Sequence, residues 1–153
     1  MAQKRDNRGG MTMVALMIDE THAAVTFSDG QTQALDLDMA ALMCRYFSRI
    51  PPDNGAWEEA IMTVEDAIAP WRDTVNAHMP SEKCLSVAAS ALLQFGGQSM
   101  TVEAVEQLFY RVSAYGFSAE IPEQAAAYAQ FLLVREFLHH MGFTAVQWLA
   151  EAA

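Results

Sequence analysis

The sequence predicts an α+β domain that is mostly α: a short N-terminal β-hairpin or three-strand element, then an irregular bundle of five to seven helices. Three observations lead there. Short β-type segments at 14–18, 23–27 and 32–37 precede a long stretch of helical apolar spacing, and Asp29-Gly30 sits between the last two. From Asp38 onward the apolar residues recur at i, i+3 and i+4. The connections are short and marked by Pro or Gly, with no repeat and no linker that would divide the chain.

In order, residues 1–10 read as a flexible leader and residues 11–153 as one globular domain, with 11–37 as the β element and 38–153 as the helical bundle. Lys4, Arg5 and Arg8 followed by an apolar run imitate a signal peptide, but Asp19-Glu20 stands where a small-residue cleavage site belongs. Val25 and Phe27 alternate with Thr26, and Leu35 and Leu37 with Asp36, so one face of the strands is expected to be buried. Asp38 is the expected N-cap of a helix to Ile50, which Pro51-Pro52 ends. A second helix begins near Ala56, and Pro70 kinks it or opens a segment to Met79. Ser81 is expected to cap a helix over 82–95 that Gly96-Gly97 stops, and Thr101 to cap one that Gly116 closes. A long helix over 122–141 ends at Gly142, and a short helix starts at Ala145.

Composition narrows the class. Of 153 residues 52% are hydrophobic and 18% charged, which suits one packed core and excludes wholesale disorder. No apolar run approaches the roughly 18 to 20 residues of a membrane-spanning helix, so no membrane partner is expected. The net charge is −10, and all but one of the 19 acidic groups lie beyond residue 10. A body of that sign repels phosphate backbones, which argues against direct nucleic-acid binding. Cys44 and Cys84 are too few for a disulfide framework, so a cytoplasmic location follows.

The candidate chemistry is thin. On the long helix Phe131, Val134, Phe137, Leu138 and Met141 form a core stripe, while Glu136, His139 and His140 turn the other way. Glu-x-x-His is half of a di-metal motif, making Glu136, His139 and His140 the metal-ligand candidates; a second copy is missing. Cys84, in the expected first turn behind Ser81 and beside Lys83, is placed for a lowered thiol pKa but lacks a positioned base. Adjacent acids such as Glu58-Glu59 diverge on a helix, and neither Gly-Gly pair lies where a phosphate loop needs it. No catalytic residue and no cofactor is therefore assigned.

Ten methionines and a 10% aromatic content suggest helix faces that accept a partner. Trp148 and Leu149, with Tyr128 and Leu132, form the expected interaction surface. The function expected is a non-catalytic interaction protein (a small regulator, adaptor or subunit) that self-associates as a homodimer, with a protein partner and no small-molecule ligand. Two alternatives stand beside it: an acidic inhibitor occupying a nucleic-acid-binding site on a partner, and a metal-binding bundle or enzyme built on Glu136, His139 and His140.

Overall fold

Val14, Leu16 and Ile18 alternate with Ala15 and Met17, and this two-residue period makes strand β1 (Val14–Ile18). In the computed structural model, which describes residues 13–115 and 124–150, β1 pairs antiparallel with β2 (Ala23–Phe27) and β2 with β3 (Thr32–Ala34). The Asp29-Gly30 turn forms as its residues require: Gly30 has φ 89°, and its N–H donates to the Phe27 carbonyl.

Two helices follow, each capped by an aspartate. Asp38 accepts from Ala41 N–H at the start of α1 (Met39–Tyr46), and Asp53 from Ala56 N–H at the start of α2 (Asn54–Ile68). Pro70 lies in a 3₁₀ turn at Ala69–Trp71, and α3 (Arg72–Ala77) continues from it. The chain then re-enters the sheet.

Residues 82–95 were expected to be helical, but Cys84–Ala89 is a strand, β4, running parallel to β1 with Ala15 opposite Ser86 and Ile18 opposite Ala89. Its alternation is confined to Cys84–Val87, and Ala88 and Ala89 are both buried, as a central strand covered on both faces allows. Its short apolar run is then indistinguishable from a piece of buried helix by period alone. Lys83, at φ 53°, and the Leu93–Phe95 3₁₀ turn bound the segment. A short strand β5 (Ser99–Thr101) leads into α4 (Val102–Tyr115), whose Ala104 N–H is capped by the Thr101 hydroxyl. Gly116 and the expected helix start at Pro122 lie outside the described residues.

Helix α5 (Ala125–Met141) ends in a left-handed Gly142, with Gly142 and Phe143 N–H both donating to the Leu138 carbonyl. The last element is β6 (Ala145–Trp148), not a helix: Val146 and Trp148 are buried and Ala145 and Gln147 are half-exposed, the two-residue period of a strand. It pairs parallel with β4 and antiparallel with β5. Gly96 lets these ends close, since a Cβ there would stand 2.9 Å from the Ala150 Cα.

The expected bundle behind an N-terminal β element is therefore corrected to one six-stranded mixed sheet, ordered β3-β2-β1-β4-β6-β5, with helices packed on it. Half of its strands come from the region read as purely helical. Helix α5 touches α1, α2, α3, α4 and strand β4, which explains why nearly all of its circumference is apolar. Around it Phe47, Trp57, Phe109, Tyr128 and Phe131 form a ring cluster, with Phe47 and Trp57 edge-on at 5.3 Å. Among the described residues no helix is long and apolar enough to cross a membrane.

Candidate functional site

Two groups of polar side chains among the described residues gather potential ligands or donors from separate elements. The first lies where β1 and β4 end. The Ile18 carbonyl accepts from Ser90 N–H, which ties the two strand ends together. Beyond Ile18 the chain reverses through Asp19-Glu20-Thr21-His22, and Asp19 organises the turn. Its Oδ1 accepts from Thr21 N–H at 2.8 Å, His22 N–H at 2.7 Å and the Thr21 hydroxyl at 3.0 Å. The backbone donors Thr21 and then His22 hold this carboxyl below the ordinary aspartate range. Because the Thr21 hydroxyl gives its one proton to Asp19, the His22 ring donates to it from Nδ1 at 2.7 Å.

The end of β4 is held from behind by Gln130 of α5, a fully buried side chain. Its Oε1 accepts from Ala91 N–H at 2.9 Å, and its Nε2 donates to Ser90 Oγ at 3.0 Å. Beside the β1–β2 turn, Thr21, His22, Ala40 and the stretch 35–38 enclose a groove of about 470 Å³. A second depression of about 290 Å³ shares Asp36, Leu37 and Asp38 and reaches Arg45, Tyr46 and Asp66. Sequence reading missed this groove and Gln130. The available signal was a lone amide inside the otherwise apolar run 125–134.

The second group lies toward the C-terminal end of α5. His140 Nε2 stands 2.9 Å from Glu65 Oε2 on α2 and 3.3 Å from Glu136 Oε1 on its own helix. Glu136 was expected to turn away from the core stripe; its side chain is 1% exposed, because α2 and α4 flank α5 on the sides that a lone helix would leave open. Arg135 bonds Glu136 through Nη1 and grips Glu106 of α4 with two bonds, at 2.7 and 3.0 Å, while its guanidinium lies 4.5 Å from the Phe109 ring centre. Burial pushes the Glu136 carboxyl up, against the pull of Arg135. The hydrogen bonds from Arg135 pull Glu106 down.

The structure thus joins two of the three metal-ligand candidates, Glu136 and His140, and adds Glu65 from α2. His139 is exposed and stands beside the cluster, its ring 5.2 Å from that of His140. Of the surface residues, Tyr128, Leu132 and Trp148 are 0–1% exposed and belong to the core, and Leu149 is half-buried. Cys84 sits on β4 rather than in a first helical turn, and burial, then Glu82, raises its thiol pKa. Nothing there activates it.

No protein-family model and no curated protein matches the chain. Its fold does match solved structures. A structure of the Aquifex aeolicus Ppx-GppA enzyme superposes with a TM-score of 0.69 at 9% identity, over 92% of this chain and 54% of that one. The type II variant of the Aquifex aeolicus Ppx/GppA phosphatase gives 0.68 at 10% identity, again over 92% and 54%. An exopolyphosphatase-like protein gives 0.68 at 10% identity, over 94% and 56%. The chain spans about half the length of these neighbours, and at such identity the likeness is one of fold.

This fold corrects the functional expectation as well. The self-associating interaction protein, regulator or homodimer, rested on a helical bundle with spare apolar faces. The helices instead cover a sheet, and the structures that share it are phosphatase-type enzymes. The same comparison removes the ground for expecting no small-molecule ligand, and for the acidic-inhibitor alternative.

Proposed function

We propose that the chain is one lobe of a phosphohydrolase-type enzyme, whose groove beside the β1–β2 turn receives a small phosphate-bearing ligand together with a hard divalent cation. The observation that carries this reading is the position of the groove. It lies outside the carboxyl end of β1, in a sheet of the kind found in Ppx/GppA phosphatase structures. Sheets with parallel strands take their ligands outside the carboxyl ends, where the strand order reverses. Here β1 is that point, with β2 on one side and β4 on the other.

The local chemistry says how phosphate would be held. The Thr21 and His22 N–H groups already donate to Asp19, and Asp36 and Asp38 line the groove, so a bare phosphate meets negative charge. A hard cation of the Mg²⁺ type, which binds through one or two carboxylates plus substrate phosphates, fits that oxygen donor set. Asp36 and Asp38 would hold it, the Thr21–His22 wall would orient the ligand, and Gln130 would keep the Ser90 turn in place. The two free cysteines, Cys44 exposed and Cys84 half-buried, suit a reducing cytoplasm.

Calorimetric titration of the full chain with inorganic tripolyphosphate, with and without Mg²⁺, tests the reading alongside a phosphate-release assay. Binding is expected only with Mg²⁺, and to weaken at least about tenfold in Asp36→Asn/Asp38→Asn, since second-rank changes at metal sites already cost about 10- to 100-fold. Asn at position 38 still caps α1, so the fold survives the change. Absence of binding in Mg²⁺, or binding unchanged in the double variant, overturns it.

A further inference from the structure

We propose that Glu65, Glu136 and His140 form a binding site for one divalent transition-metal ion, zinc in chemical class, that clamps α2 to α5. The site lies outside the groove and does not depend on it: His140 follows Gln130 by ten residues, about 15 Å along α5 at 1.5 Å per residue.

Geometry is the first argument. One donor atom from each residue falls within 4.8 Å of the other two. Ligands about 2.0–2.2 Å from a tetrahedral zinc stand about 3.3–3.5 Å apart, and the His140 Nε2 separations are 2.9 Å to Glu65 and 3.3 Å to Glu136. The Glu65 side chain, 39% exposed, has room to adjust around the ion. One imidazole and two carboxylates suit zinc among the common divalent ions, and the exposed side of His140 and Glu65 leaves a fourth position for water.

Charge is the second. Glu106 and Glu136 share the single guanidinium of Arg135, and Glu65 brings a third carboxylate up to His140. Arg72, exposed, gives its Nε to the His140 backbone carbonyl. With His140 neutral, as a ligand must be, a divalent ion balances the remaining two charges, one of them on a carboxylate buried to 1% exposure. Buried ions without balance are costly, so Glu136 is an unexpected residue for a core helix unless it has a partner.

The third is the support behind the ligands. Arg135 holds the far oxygen of Glu136 and is itself gripped by Glu106 and stacked on Phe109, which is how outer residues fix a ligand's orientation. His139 takes no place in this set.

The test is titration of the full chain with zinc at pH 7.5, followed by calorimetry and thermal shift, with cobalt(II) absorption as a report on coordination. One equivalent is expected to bind, with a tetrahedral or five-coordinate cobalt spectrum and a raised melting temperature. Glu65→Gln and His140→Gln, both at partly exposed positions that spare the core, are each expected to weaken binding at least about tenfold. His139→Gln is expected to leave it unchanged. Three results each overturn the proposal: absence of stoichiometric binding, binding undiminished in both ligand variants, or equal loss in His139→Gln. In the first case His140 serves only as a hydrogen-bonding bridge between the two carboxylates.

Discussion

Helix α5 buries two polar side chains, and its two ends solve the same problem differently. Gln130, near the start, is neutral and matches each end of its amide to one fixed partner, Ala91 N–H and the Ser90 hydroxyl. Glu136, near the end, is a carboxylate with almost no exposure, and it requires Arg135 on one oxygen and His140 by the other. A satisfied amide costs little and pins a turn. A buried carboxylate is stable only while its countercharges stay in place. The first end therefore reads as architecture for the groove, and the second as a site whose charge invites a ligand.

The strongest way to break that contrast is to remove the countercharge. Arg135→Met keeps much of the apolar stem but strands Glu136 and frees Glu106. Breaking a buried pair from one side costs about 3–5 kcal/mol, so urea denaturation at pH 7 is expected to show a loss of about 3 kcal/mol and a melting temperature lower by about 6–12 °C. A loss no greater than that of an amide deletion would mean that Glu136 is already neutral.

Gln130→Met is that amide deletion, similar in length but unable to donate or accept. It leaves the half-buried Ala91 N–H and the exposed Ser90 hydroxyl without their partner, an expected cost of about 0.5–1.5 kcal/mol. Its signature is local: the Ala91 amide is expected to exchange with solvent faster than those of β1. Uniformly faster exchange would show that Gln130 supports the whole core and not the turn.

The same helix explains what could be read from residues alone. The hairpin was legible because Asp29-Gly30 and alternation are local signals, and so was the Asp38 cap of α1; α2 starts at Asn54, behind an Asp53 cap, two residues ahead of the expected start near Ala56. Strand β4 was not legible because its alternation, Leu85 and Val87 buried between half-buried Cys84 and Ser86, is short and gives way to the buried Ala88–Ala89, an apolar run that also fits a helix. Strand β6 offered only Val146 and Trp148 alternating with Gln147, and these few residues were read as a short separate helix starting at Ala145. Missing β4 turned a sheet into a bundle, and with it the groove at the strand ends disappeared. The site candidates fared by their range. Glu136 and His140 are a helical i,i+4 pair and were found, whereas Glu65 lies 75 residues from His140 and joins them only through the fold.

The smallest effect is expected at Asp19, on the groove side, where the carboxylate is exposed and bonded by backbone rather than buried against a cation. Its folded pKa is lowered from the ordinary 3.8 by the Thr21 and His22 N–H groups. A lowered folded value means that the carboxylate's contribution is fully present well above pH 3.8 and falls away as the pH drops through that value toward the folded one. Asp19→Asn keeps an acceptor oxygen for the turn but has no proton to gain. Urea midpoints for the two proteins are therefore expected to differ by a small, constant amount between pH 5 and 7, with the wild type ahead, and to converge below about pH 3.8. Exposure makes the gap small, because water screens the charge. A gap that widens toward acid would mean that the protonated form is the one the turn prefers. The β1–β2 turn would then rest on a neutral acid and not on the carboxylate that the Thr21 and His22 N–H groups hold charged.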